Sequence, residues 1–161
     1  MTLPVSLRLF DLLVDYAKDI EAGKIKSTPT LASTAPAPTF CENFYAQFFQ
    51  NVIGHEIKTF NSKTKRDAVR LRLQMKEKKA PAATIQLITW FEKLCDIYPN
   101  VIALGYGGGT TASFLDFHKD YLLVLLDRIA AWAKVANYPE IEQKATSTLS
   151  VLRKALESIS K

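Results

Sequence analysis

Apolar residues recur at intervals of three and four along most of this chain, which is the spacing of an amphipathic helix. In residues 3–22 the stripe is Val5, Leu9, Leu12, Leu13, Tyr16 and Ile20, with Gly23 as a stop. From Gly23 to Pro38 the period disappears among Lys, Ser, Thr, Ala and the prolines Pro29, Pro36 and Pro38, which predicts a linker or surface loop over 23–38. Thr39 offers a cap for a second helix over 39–53, where Phe40, Phe44, Tyr45, Phe48, Phe49 and Val52 gather on one side. So apolar a face is covered either by the rest of the domain or by a neighbouring protein.

The segment 65–79 reads two ways. Val69, Leu71, Leu73 and Met75 alternate with Arg70, Arg72, Gln74 and Lys76, as in a half-buried strand. Against that, Thr64 can cap a helix, most of the residues are good helix formers, and no other convincing strand exists to pair with this one. Helix is the expectation.

A fourth stripe, Ile85, Ile88, Phe91, Leu94, Cys95 and Tyr98, predicts a helix over 82–98 that ends before Pro99. After the glycine-rich stretch at 105–109, residues 110–136 are apolar on more than one side, as the centre of a bundle requires. Pro139 suits the first turn of a last helix carrying Ile141, Ala145, Leu149, Leu152, Leu156 and Ile159. The fold class expected is all-α, a helical bundle of about six helices forming one domain over 1–161.

With 161 residues, 48% of them hydrophobic and 23% charged, the chain can bury a core without staples. Cys41 and Cys95 have no second Cys or His at metal-ligand spacing and are expected to be buried thiols. Asp11, Asp15 and Asp19 interrupt the first turns, so residues 1–20 do not read as a signal peptide. The apolar run Tyr121 to Ala136 contains Asp127, Arg128 and Lys134 and is too short to span a bilayer. A cytoplasmic protein with no membrane partner is expected.

Little in the sequence suggests catalysis. Gly105-Tyr106-Gly107-Gly108-Gly109 precedes Thr110-Thr111, whereas a phosphate-binding P-loop needs a Lys after its last glycine. A plain connection is the favoured reading, with a phosphate-backbone contact second. His55 and His118 lack partner sets, and Asp116, two residues before His118, does not share its helix face. No enzyme activity, cofactor or metal is expected.

Charge changes the picture. Residues 58–79 carry nine basic side chains (Lys58, Lys63, Lys65, Arg66, Arg70, Arg72, Lys76, Lys78 and Lys79) against Asp67 and Glu77, a local balance of +7 in a chain whose total is +5. A solvated helix face is the bland explanation. Concentrating all the excess charge in one segment favours a phosphate-binding surface, since clustered Lys and Arg attract nucleic-acid backbones by counterion release. Lys63, Lys65, Arg66, Arg70, Arg72, Lys76 and Lys79 are the expected contacts. Arg66 and Arg70 are four apart, as are Arg72 and Lys76, so each pair is expected to present together in helix or strand. No base-reading helix is discernible, so the contact should tolerate any sequence.

This profile, a helical basic chain with Lys63 to Lys79 clustered and apolar helices at 110–136 and 139–160, resembles the small subunit of a CRISPR Cascade effector, of the type I-D form. The likeness is to the whole chain's profile and rests on no diagnostic motif; the stretch 23–38 has no counterpart and leaves the first helix outside it. The resemblance implies a bundle present in several copies beside the guide RNA, holding the target or displaced strand through basic surfaces in antiviral defence. For the type I-D form it also implies likeness to the C-terminal part of the large subunit, made from an internal start. The rival reading is a protein-protein adaptor that docks through the aromatic helix 39–53, with the basic segment meeting an acidic partner.

Overall fold

A computed structural model of the chain describes residues 3–23, 36–57, 62–100, 115 and 118–159. They form six helices and, among the described residues, no strand. In chain order these are α1 (Arg8–Glu21), α2 (Pro36–Phe48), α3 (Ser62–Glu77), α4 (Ala82–Asn100), α5 (Leu123–Val135) and α6 (Pro139–Ile159). Two π-helical turns adjoin them: Phe49–Ile53 extends α2, and His118–Leu122 leads into α5.

The helix α1 buries Leu9, Leu13, Tyr16 and Ile20 as its stripe requires, together with Phe10 and Ala17. Leu12 departs from expectation and is 44% exposed, because it lies on the outer side with Asp11 and Asp15. Gly23 ends the helix in a left-handed conformation (φ 76°) that a glycine adopts without strain.

Two boundaries correct the sequence reading. Helix α2 starts at Pro36, so Thr39 is inside it and does not cap it, and residues 36–38 of the linker expected over 23–38 are helical. Both Pro36 and Pro38 fit its first turn, where backbone N–H groups have no intrahelical partner to lose. In α4 the helix runs to Asn100 and takes in Pro99 near its end. The rest of the expected linker (24–35) and the Gly105–Gly109 motif lie outside the described residues, as do Lys58 and Asp116.

The aromatic face of α2 is the centre of the core. Phe40, Phe44, Tyr45, Phe48 and Phe49 are all fully buried. They meet side chains from three other helices: Phe10 of α1 at 5.5 Å from Phe40, Phe91 of α4 at 4.5 Å from Tyr45, and Trp132 of α5 at 5.1 Å from Phe48 (ring centroids). Edge-to-face and tilted pairs of this kind add to the burial of large apolar area. Around this centre α6 packs on α5 and, less extensively, on α1, with Lys144 of α6 donating to Asp11 of α1 at 2.8 Å.

The helix α3 sits differently. Its main packing is on α4 alone, and Thr64 and Ala68 are its only buried residues. The short turn at 78–81 folds α3 and α4 into an antiparallel hairpin and places Lys79 at φ 58°. Ala80 N–H donates to the Met75 carbonyl at 2.9 Å and Lys79 N–H to the Lys76 carbonyl at 3.1 Å, a Schellman ending with lysine at the left-handed position. Among the described residues no helix is long and apolar enough to cross a membrane.

Candidate nucleic-acid interface

The helical state of α3 resolves the alternation that imitated a strand. Leu71 and Met75, four apart, join Thr64 and Ala68 on the side that meets the core. Val69 and Leu73, also four apart, fall on the far side among the arginines. Two interleaved helical stripes therefore produce a period of two over this short stretch.

The seven expected contact residues divide into two groups. Lys65 and Arg72 face α4. Arg72 Nε donates to Glu92 Oε2 at 2.7 Å and its Nη2 to Oε1 at 3.4 Å, with the two side chains 24% and 11% exposed. Lys65 Nζ donates to Asp96 Oδ2 at 2.7 Å, with 39% and 55% exposed. The hydrogen bond to Asp96 is the main reason that the Lys65 ammonium holds its proton more firmly than an ordinary lysine.

Lys63, Arg66, Arg70, Lys76 and Lys79 instead point outward and are exposed, as is Lys78. Of these only Arg70 has an ion pair among the described residues, a long 3.9 Å contact with Asp67. The pair Arg66 and Arg70 shares one face as expected. Arg72 and Lys76 are likewise four apart on the helix, but Arg72 is held by Glu92 of α4 while Lys76 is exposed. Helical geometry turns residues seven apart, such as Lys65 and Arg72, to nearly the same side, and that side is the one packed beside Glu92 and Asp96.

Between these groups lies an open hollow of about 690 Å3. Lys65, Arg66 and Arg70 of α3 line it together with the apolar Val69 and Leu73, and Asp96 of α4 joins them. Leu73 is 52% exposed. The sequence reading missed Val69, Leu73 and Asp96. The four-residue spacing of Val69 and Leu73 carried the signal for the first two, whereas nothing local marks Asp96.

The residues considered for chemistry are placed elsewhere. His118 is buried in the π-turn with its ring 5.7 Å from that of Tyr16, and His55 is half-buried just after the π-turn that follows α2. Cys41 and Cys95 are buried free thiols, and burial pushes both up to about 12 from the usual 9.0, so neither is a ready nucleophile. Among the described residues no cluster of His, Cys, Asp or Glu is arranged to hold a metal ion.

No protein-family model, no curated protein and no solved structure matches the chain.

Proposed function

We propose that this chain is a non-catalytic nucleic-acid-binding subunit of a ribonucleoprotein complex, acting in the cytoplasm and holding RNA or DNA by its backbone through α3. The observation that supports this reading is the division of labour on that helix. Lys65 and Arg72 are engaged by carboxylates of α4, while Lys63, Arg66, Arg70 and Lys76 are exposed, as is Lys79 in the turn that follows. A helix used only as a solvated surface gains nothing from so one-sided a charge, whereas phosphates along a strand neutralise it and release counterions. Contacts of this kind fix position and carry no sequence information.

The complex that the chain's profile suggests is a CRISPR antiviral effector, with other subunits and further copies of this chain beside the guide RNA. The adaptor reading gains no support from α2, whose aromatic side chains are buried within this domain. The test is to isolate the untagged native assembly and sequence its nucleic acid. The proposal expects repeat-derived guide RNA to co-purify, and a chain recovered free of RNA, DNA and other subunits would contradict it.

A further inference from the structure

Two ion pairs join α3 to α4, and they are not alike. Arg72 and Glu92 are largely enclosed and meet through two hydrogen bonds, so separating them would strand a charge. Lys65 and Asp96 meet through one, are both well exposed, and line the hollow that Arg66 and Arg70 flank. An exposed single-contact pair contributes little stability and exchanges readily with solvent ions. Asp96 also places a negative charge in an otherwise cationic groove, where it opposes any anion that enters.

We propose that Asp96 is a built-in competitor of the groove: its carboxylate occupies the place on Lys65 that a phosphate oxygen of the bound strand takes, which makes Lys65 a reserve cation. This rests on the reading of α3 as a phosphate-binding face. A lone anion must displace Asp96 unaided. A strand already anchored at Arg66 and Arg70 delivers its next phosphate at high effective concentration and displaces Asp96 easily. Asp96 thereby weakens all anions and favours polyanions over single ones, and it is a specificity-determining residue of the groove.

The test compares the parent with Asp96→Asn, which keeps the size of the side chain and removes its charge. The probes are a labelled single-stranded oligothymidylate and inorganic tripolyphosphate, titrated over a range of salt. Asp96→Asn is expected to tighten the oligonucleotide roughly threefold at low salt. It should leave the slope of log affinity against log salt close to that of the parent, because Lys65 meets a phosphate in both complexes once the strand has displaced Asp96. Tripolyphosphate should gain more than the oligonucleotide does. Adding Lys65→Met should cancel the gain, and Asp127→Asn on α5, beside Arg128 and away from this groove, should produce none. If the parent binds through Arg66 and Arg70 but Asp96→Asn leaves the affinity unchanged, the role of Asp96 is overturned and the α3 reading stands. If Asp127→Asn tightens binding as much, the effect is a diffuse field and the role of Asp96 is again overturned. If neither parent nor Asp96→Asn binds either probe at low salt, both readings fall.

Discussion

Arg72 and Glu92 face each other across the α3–α4 hairpin with one guanidinium spanning both carboxylate oxygens, at 2.7 and 3.4 Å. Few apolar side chains hold α3, so this pair has a large share in anchoring it. Glu92→Gln and Arg72→Met are each expected to lower stability by about 2 kcal/mol, since each leaves a partly enclosed charge without its partner. The double replacement Arg72→Met/Glu92→Gln should cost less than the two singles combined. Urea denaturation measures all three, and singles as stable as the parent would show that the pair does not anchor α3.

Lys79 at φ 58° has the backbone conformation that glycine adopts most easily. Lys79→Gly is expected to raise stability by about 1 kcal/mol, and Lys79→Ala to leave it unchanged. Thermal melts of the two variants distinguish relief of backbone strain from loss of a charge, since both variants remove the charge.

The hydroxyls of Tyr45 and Thr148 are buried and have no hydrogen-bond partner among the described residues. Burial, and then the thiols of Cys41 and Cys95, push the Tyr45 phenol well above its usual range. Removing such a group relieves a desolvation cost, so Tyr45→Phe and Thr148→Val should each be neutral or stabilise by up to about 1 kcal/mol. A loss of more than that in either variant would mean that the hydroxyl has a partner.

The two thiols give a stability-versus-pH prediction with a definite sign. Folding raises them from 9.0 to about 12, so between those values the folded chain binds more protons than the unfolded one. Their contribution is complete below pH 9 and falls as pH rises toward 12. Denaturation midpoints over that range should fall less steeply in Cys41→Ala/Cys95→Ala. At neutral pH a thiol reagent should label neither cysteine until the chain unfolds.

The helices were legible in the sequence where one stripe dominated, as in α1 and α6. Leu12 was misassigned because the i, i+3 rule does not say where a stripe ends. The π-turn at Phe49–Ile53 left no trace in the pattern, although its extra residue per turn changes which side chains face the core. In α3 the face shared by Arg66 and Arg70 follows from spacing alone. The engagement of Lys65 and Arg72 does not, because their partners Asp96 and Glu92 are 31 and 20 residues away on the next helix. A carboxylate pair four apart on α4 opposite cations seven apart on α3 is a hairpin signal that becomes readable only when the two helices are considered together.

The outward cations of α3 are proposed to hold phosphate. The most direct measurement is the salt dependence of binding to a labelled single strand, comparing the parent with Arg66→Glu/Arg70→Glu and with Arg153→Glu/Lys154→Glu, which reverses two exposed cations on α6. The α3 variant should lose about 0.7 of slope for each phosphate contact removed and weaken equally toward unrelated sequences. Its helical circular dichroism should stay intact, and the α6 variant should bind nearly as the parent does. Equal losses in the two variants, or an unchanged slope in the α3 variant, would contradict that proposal.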